Sequence, residues 1–582
     1  MAFTLLALQK LNWQFKVALL TPLHNLLSRD EAKIPMAVLG ILVGIAAGLV
    51  VNLFRFILES PFPFFGNGLH HDNFEALPPY LHFLLPVAGC IVIGQLLHVL
   101  TPELRLMGVS YIIDKVQHFR SQMRVRNAVM QFVTASIALL SGGSCGREGP
   151  AIHMGATAGG AIGSWLQLPN NSIRTLIAAG SAGAIAAAFN TPIAGVIFAM
   201  EVILMEYAIS GIIPVIVAAV SGTVVTQILY GGEPVFVIDE VAMNSLWQIP
   251  YVVFMGLIIG IIASLFVKLH KFACGFGHID LRLRLLGIGL LTGSVGLFMP
   301  EILGTGYDSL NDALQGNLAL TFLLALLSLK LIVTALSLGL GLPGGVIGPS
   351  LMLGGVAGGI MGIVGESFFP GSLSTSGFYV LIGMCAMMGA TLQAPLAALM
   401  ALLELSNNPG IILPAMLIIV VSNMTSSELF KIKSVFQNSL TPRQSGFSPE
   451  LSRFLNRFAV STVASKKFAT LHPGADLPTI RDALEKNPDW LIIDYIGTHD
   501  AIIARASLEL ALENADFDLN KLDRAREVTA INQQATLLEA LETLAEKGTH
   551  MGYTYRQDHK GEIIIQGVFS ENDIMAFYKG TQ

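Results

Sequence analysis

The sequence predicts an all-α, polytopic membrane domain with two repeated halves of broken helices, followed by a small α/β domain. Composition is the first reason: of 582 residues, 53% are hydrophobic and 13% are charged, whereas soluble domains average about 25% charged residues. The charge distribution is the second, because half of the 40 acidic residues follow residue 440. A repeat of glycine-rich segments is the third. These observations indicate an integral membrane protein with a soluble tail.

Four regions follow from the shifts in composition. Residues 1–33 mix basic residues with short apolar runs and lack a signal-peptide cleavage pattern, which predicts a cytoplasmic, interfacial helix. Residues 34–440 are the predicted membrane domain, 441–455 a linker and 456–582 the α/β tail. The net charge of -6 gives no indication of nucleic-acid binding.

Most apolar segments of the membrane domain are short. Met36–Phe56 and Tyr80–Leu100 are long enough to span a bilayer, which needs about 20 apolar residues. Several later segments are shorter and interrupted by glycine or proline, among them Asn127–Leu140, Ala151–Leu166, Pro192–Met205 and Pro395–Leu405. Because membranes tolerate discontinuous helices only where they are enclosed by protein or line a cavity, these segments predict a pathway through the domain.

The same glycine-rich pattern occurs twice in the membrane domain. Arg147–Gly163 matches Val346–Gly362, and Phe189–Val202 matches Leu392–Leu405 in the same order and at nearly the same spacing. Paired broken segments in two halves indicate a binding site where the halves meet. An odd number of crossings in each half would make the halves inverted.

The glycine-rich break at Ser141–Pro150 holds Arg147 and Glu148 between two apolar segments. Glycines permit sharp turns and close backbone approach, and Pro150 suits the first turn of a helix. A helix that begins inside a membrane carries partial positive charge and unpaired N–H donors, so it forms an anion site. An ionisable residue at this depth, Glu148, is predicted to be functional.

Beyond Thr441 the pattern changes to mixed α/β and repeats once, which predicts a tandem of small modules. The predicted helices are Leu477–Lys486, Thr536–Lys547 and Ser570–Lys579. The predicted strands are Trp490–Tyr495, Ala501–Arg505 and Glu562–Phe569.

Three motifs resemble the CLC family of chloride channels and proton-coupled chloride exchangers. They are G-R-E-G-P at Gly146–Pro150, N-T-P-I-A-G at Asn190–Gly195 and G-G-V-I-G-P at Gly344–Pro349. The resemblance implies a homodimer with one anion pathway in each subunit and an inverted repeat of tilted helices. The tail resembles a pair of CBS domains, with its best mark at Gly567–Asp573.

The resemblance implies a role for each pore-loop residue. Glu148 matches the protonatable gate, whose carboxylate occupies the anion site at the N-terminus of the helix that begins near Gly149; the alternative is a helix-capping carboxylate balanced by Arg147. Val346 and Ile347 match the residues whose backbone N–H groups bind chloride. The supporting residues are Gly146, Arg147, Gly149, Pro150, Gly345, Gly348 and Pro349.

Two further anion-binding residues depart from the family pattern. Ser110, expected in a loop before a short helix, is chosen as the chloride-binding serine; the Gly108 backbone and a plain N-cap serine are the alternatives. Phe436 aligns with the inner-gate tyrosine and keeps its bulk without its hydroxyl, which predicts weaker coordination of the anion. A core phenylalanine is the alternative.

Proton coupling is the main open question of the sequence. Family exchangers commonly carry an internal glutamate that relays protons, and Val202 stands at that position. Glu206 is a weaker substitute one turn further on, whereas Glu201 and its repeat counterpart Glu404 are expected to be structural.

The sequence therefore predicts transport of chloride or a similar monovalent anion, with proton-coupled exchange slightly favoured over a passive channel. A membrane enzyme would need a nucleophile–base pair or a metal cluster at membrane depth, and His153 has no such partner in sequence, so neither an enzyme nor a metal site is predicted. No cofactor is required; Ser570 and Asp573 match residues that contact the ribose of an adenine nucleotide, with a purely structural tail as the alternative. The expected location is the plasma (inner) membrane, with cytoplasmic termini and tail.

Overall fold

The computed structural model describes residues 33–60, 74–118, 123–207, 211–232, 243, 245–368, 374–439, 447–472, 474–493, 501–512, 526–557 and 563–581. The predicted N-terminal helix and the first part of the predicted linker lie outside these residues. The chain divides into two compact units. One comprises Met36–Ile162 and Arg174–Pro442; the other joins Gly163–Ile173 to the tail from Arg443 onwards.

The membrane unit is built from α-helices, as the composition predicts. They are α1 (Lys33–Glu59), α2 (Pro79–Val99), α3 (Gly108–His118), α4 (Val125–Leu140), α5 (Glu148–Trp165), α6 (Asn170–Phe189), α7 (Pro192–Phe198), α8 (Ile212–Tyr230), α9 (Ile249–Cys274), α10 (Leu281–Gly296), α11 (Tyr307–Gln315), α12 (Leu320–Leu340), α13 (Ile347–Phe368), α14 (Ser376–Leu392), α15 (Pro395–Ser406) and α16 (Ile412–Met424). π-helices continue α7 and α16 at Ala199–Leu204 and Thr425–Leu429.

Among the described residues, eight helical segments are long and apolar enough to cross a membrane. Their outer faces expose large apolar side chains, such as Leu49 and Leu53 on α1 and Ile261 and Leu265 on α9. A protein in water would bury such rows, whereas lipid solvates them. Shorter apolar helices, α4, α7 with its π-helical continuation, α14 and α15, lie between the long ones along the chain. Broken helices are thus confirmed.

The repeat seen in the sequence is also a repeat in packing. In the first half α5 crosses α6 so closely that a Cβ on Gly180 would lie 2.0 Å from the carbonyl oxygen of Gly155. In the second half α13 crosses α14, and a Cβ on Gly383 would lie 2.4 Å from the carbonyl oxygen of Gly354. Side chains at these positions would hold the helices apart, so the glycines determine how closely the helices cross.

The tail contains the strands β1 (Phe468–Leu471), β2 (Trp490–Ile493), β3 (Ala501–Ala504), β4 (Arg526–Glu527), β5 (Thr529–Asn532), β6 (Met551–Gln557) and β7 (Ile563–Ser570). Its helices are α17 (Pro449–Leu455), α18 (Leu477–Glu485), α19 (Arg505–Leu512), α20 (Leu537–Lys547) and α21 (Glu571–Thr581). The first sheet has the order β1-β2-β3-β4 and the second β5-β6-β7.

Each sheet has the same arrangement, as expected for two similar modules. β1 and β2 are parallel across α18, and β3 returns antiparallel to β2. β5 and β6 are likewise parallel across α20, and β7 returns antiparallel to β6. The two sheets share a core in which Ile492 and Ile502 of the first cluster with Met551, Tyr553 and Val568 of the second. The tail is therefore a tandem of two similar α/β modules.

The second module also binds the short segment between α5 and α6. The backbone N–H of Asn170 donates to the carbonyl oxygen of Gln534 at 2.8 Å, and its side-chain amide donates to Glu539 Oε2 at 2.8 Å. Gln534 Nε2 donates in return to the carbonyl oxygen of Leu168 at 3.1 Å. Glu539 also completes the capping box of α20 with Thr536, so a preorganised helix N-terminus holds this segment.

Candidate functional site

The two repeated glycine-rich loops pair directly with each other. The N–H of Gly146 donates to the carbonyl oxygen of Gly345 at 2.8 Å, and the N–H of Gly345 donates to that of Gly146 at 2.7 Å. This bridge is antiparallel, and the two glycines occupy equivalent positions of the repeat. At this point the two halves therefore run in opposite directions about a local two-fold relation.

Close backbone approach explains the glycines at this crossing. A Cβ on Gly345 would lie 2.5 Å from the backbone nitrogen of Gly149, and a Cβ on Gly149 would lie 2.7 Å from the Cα of Gly345. Pro150 and Pro349 occupy the first turns of α5 and α13, where a missing N–H has no cost. The N-termini of two helices are thereby brought against one another inside the membrane unit.

Glu148 is the first residue of α5, and its side chain is buried. Its Oε2 accepts a hydrogen bond from the N–H of Gly348 at 3.1 Å, in the first turn of α13. The expectation that the carboxylate occupies the N-terminus of its own helix is therefore wrong. Because the paired loops bring the two helix N-termini together, the side chain reaches across to the opposite one.

Tyr307 is a site residue that the sequence analysis missed. It is the first residue of α11, it is buried, and its hydroxyl donates to Glu148 Oε1 at 2.5 Å. The guanidinium carbon of Arg147 lies 5.7 Å from the centre of its ring. The available signal was a tyrosine after the segment Gly304-Thr305-Gly306, whose two glycines both adopt positive φ.

The four predicted anion-binding residues line a single cavity of ≈ 240 Å³. Val346 precedes α13 and Ile347 begins it, so their backbone groups lie at a helix N-terminus. Ser110 and Phe436 lie on the cavity wall. Gly149 also lines it, so the cavity extends to the residue next to Glu148.

The Ser110 hydroxyl and the Gly108 N–H, the two candidate donors to an anion, already have hydrogen-bond partners. Ser110 lies in the first turn of α3 and not in a loop before a helix, which corrects the expectation. Its hydroxyl donates to the carbonyl oxygen of Phe436 at 2.9 Å. The N–H of Gly108 donates to His153 Nδ1 at 3.2 Å. An anion bound by either group would have to replace one of these hydrogen bonds.

Glu404 of α15 caps the N-terminus of α7, and Glu201, in the π-helix that continues α7, caps the N-terminus of α15. Glu404 accepts hydrogen bonds from the N–H groups of Ile193 and Ala194 in α7, at 2.9 and 2.7 Å. Glu201 accepts from those of Leu396 and Ala397 in α15, at 3.3 and 2.8 Å. This reciprocal capping of helix N-termini agrees with the structural role expected for both residues.

The region of the missing internal glutamate contains a different pair of charges. Val202 is buried in the π-helix that continues α7. Glu206 Oε1 lies 3.2 Å from Arg174 Nη1 in a nearly buried ion pair, and Arg174 Nη2 also donates to the carbonyl oxygen of Leu204 at 3.3 Å. A proton relay through Glu206 would have to disrupt this ion pair.

The candidate nucleotide residues of the tail contact each other. Asp573 Oδ2 accepts hydrogen bonds from the backbone N–H and the hydroxyl of Ser570, at 2.8 and 2.7 Å. The N–H of Asp573 donates back to the Ser570 hydroxyl at 3.2 Å. This is a capping arrangement at the start of α21, so both residues have a structural role whether or not a ligand binds.

Comparisons with known proteins agree with this geometry. The family model described as voltage gated chloride channel matches residues 88–427. An H(+)/Cl(-) exchange transporter ClcA from Vibrio cholerae serotype O1 (strain M66-2) is 30% identical over 416 residues, which cover 69% of this chain and 89% of that protein.

Two solved structures have the same fold. The structure of a slow cyanobacterial Cl-/H+ antiporter superposes with a TM-score of 0.62 at 20% identity and covers 69% of this chain and 96% of its own. That of a eukaryotic CLC transporter superposes with a TM-score of 0.60 at 18% identity and covers 93% of this chain and 98% of its own.

Proposed function

The chain belongs to the voltage-gated chloride channel (CLC) family, and on that premise we propose that it carries chloride or a similar monovalent anion across the membrane, with Glu148 as its protonatable gate. The observation that supports this most strongly is the position of the Glu148 carboxylate. It accepts hydrogen bonds from an N–H at the start of α13 and from a tyrosine hydroxyl. A carboxylate there occupies the kind of site that a free anion would occupy.

The gate follows from competition between two anions. While Glu148 is charged, its carboxylate fills the donors at the start of α13. Protonation removes the charge that these donors stabilise, so the side chain is released and a mobile anion takes its place. Anion sites made of backbone dipoles and without a fixed cation bind well and still release their ions.

Proton-coupled exchange is favoured over a passive channel. Relatives such as the Vibrio cholerae protein are named H(+)/Cl(-) exchange transporters, and Glu148 supplies a group that carries a proton. The passive channel is the alternative, because buried Val202 cannot relay a proton. We place the protein in the plasma (inner) membrane as a homodimer, on family membership, with the tail in the cytoplasm.

Reconstitution into chloride-loaded vesicles tests the transport proposal. With a potassium gradient and valinomycin to dissipate charge, chloride efflux is expected and should increase as the pH falls. Fluoride, nitrate and sulfate measured in parallel define the anion preference. A correctly assembled protein that passes none of the monovalent anions would contradict the proposal.

For the tail we propose a CBS-domain pair that binds one adenine nucleotide. Its support is the repeated module and the Gly567–Asp573 segment. In the full-length protein, Asp573→Asn is expected to weaken binding of ATP, ADP or AMP roughly 10- to 100-fold, since a hydrogen bond to a charged group is lost, while the amide oxygen of asparagine can still accept from the N–H of Ser570. Exposed Asp482 of α18 provides the matched control, Asp482→Asn. A wild-type protein that binds none of the three nucleotides would leave the tail a structural role.

A further inference from the structure

The segment that precedes Tyr307 is held by a buried lysine. Lys330 lies in α12, and its side chain is 0% exposed. Its ammonium donates to the carbonyl oxygens of Ile302 at 2.7 Å and Gly304 at 2.8 Å, with that of Leu303 at 3.5 Å. These carbonyls belong to the last residue of the short 3₁₀-helix Pro300–Ile302 and to the two residues after it, and a cation is favourable at such a C-terminal end.

The same helix also holds the loop that carries the gate. Thr334, one turn after Lys330 on α12, shares a hydrogen bond of 2.7 Å with Ser144. The N–H of Gly304 donates to the carbonyl oxygen of Gly142 at 3.2 Å. α12 therefore holds the Tyr307 segment and the Glu148 loop in a fixed relation.

We propose that Tyr307 is a latch on the Glu148 gate and that Lys330 is the positioning residue that keeps this latch in place. The inference rests on the proposed function of Glu148. The tyrosine hydroxyl stabilises the carboxylate in its seated, charged state, so a more acidic solution is needed to release it. Lys330 acts through Tyr307, because it fixes the backbone immediately before the tyrosine.

Ionisable groups on the Glu148 loop and on α11, and the groups that interact with them, define the controls. Arg147 lies beside the Tyr307 ring, and Cys145 lies in the paired loop, whereas the first turn of α13 has no ionisable side chain. Asp308 and Asp312 of α11 face Glu75 together with Glu301. The pKa of Glu75 is raised to about 7 by burial and by the repulsion of these three carboxylates, so this acidic group titrates in the neutral range.

The test is the pH at which anion flux from vesicles is half-maximal. Tyr307→Phe keeps the ring and removes the donor, so the midpoint is expected to move up by about one to two pH units. Lys330→Met should move it in the same direction and Lys330→Arg should restore most of the wild-type value. Added to Tyr307→Phe, Lys330→Met should cause little further shift, since both act on one contact.

Two control substitutions show whether the shift arises at Glu148. Glu75→Gln removes the carboxyl group with the raised pKa, and the shift caused by Tyr307→Phe should persist in that background. Glu148→Gln removes the gate itself. A flux that still responds to pH would overturn the proposed function, whereas a pH-independent flux supports it. The midpoint of Tyr307→Phe then decides for or against the latch. An assembled, active Tyr307→Phe protein with the wild-type midpoint would overturn the latch, even if the Lys330 variants fail to fold.

Discussion

Replacement of Glu148 by glutamine is expected to leave anion flux in place and to abolish its dependence on pH. The amide has nearly the shape of the carboxylate but no charge and no group that titrates. It offers one oxygen where the carboxylate offers two, so it cannot accept from the Tyr307 hydroxyl and the Gly348 N–H with separate charged oxygens as Glu148 does. The gate should therefore be released at every pH, as if permanently protonated.

Chloride efflux measured between about pH 4 and pH 8 checks this expectation, because this range includes the ordinary pKa values of carboxyl groups and histidine. Glu428→Gln is a suitable control, because Glu428 is exposed and forms a surface ion pair with Lys431; it should keep the wild-type profile. A Glu148→Gln protein with an unchanged pH response would show that another group gates the pathway.

Gly180→Ala is expected to destabilise the membrane domain severely. The added Cβ would lie 2.0 Å from the carbonyl oxygen of Gly155, and neither backbone can move without separating α5 from α6. Overpacking usually costs about 1–3 kcal/mol and occasionally more, and here the contact is with backbone. Gly383→Ala should have a similar effect at the equivalent crossing of α13 and α14, where the distance to the Gly354 oxygen is 2.4 Å.

Gly287→Ala on α10 is the matched control, since a Cβ there meets no atom within 4 Å. Alanine is favoured over glycine within a helix by about 1 kcal/mol, so this variant should be as stable as the wild type or slightly more stable. Thermal stability followed by size-exclusion chromatography compares the three proteins. Equal melting temperatures for Gly180→Ala and Gly287→Ala would contradict the close crossing.

Periodicity and composition were enough to predict the broken helices and the repeat. A shared site of the two halves was predicted from the repeat, because glycines and a following proline occur at equivalent positions in both. The direct backbone pairing of Gly146 with Gly345 was not predicted. In the tail the predicted helix Thr536–Lys547 is confirmed as α20, whose start is marked by a capping box of Thr536 and Glu539. The strands β1, β4, β5 and β6 and the helices α17 and α19 were not predicted.

Contacts between distant segments could not be derived in this way. Tyr307 and Glu148 are far apart in sequence, and no local pattern shows that a side chain of α11 meets one of α5. The same limit explains the error about the carboxylate, whose donor lies on α13. Lys330, however, carried a signal as clear as that of Glu148: it is an ionisable residue within an apolar segment, which is functional by default.

Proton movement driven by a chloride gradient is the most direct test of the transport mechanism. Vesicles containing the wild-type protein are given an outward or inward chloride gradient at equal pH on both sides, and the external pH is followed. Coupled exchange predicts that protons move in the direction opposite to chloride and build up a pH gradient, and that Glu148→Gln abolishes this movement. Chloride flux without any proton movement would contradict coupled exchange and establish the passive channel.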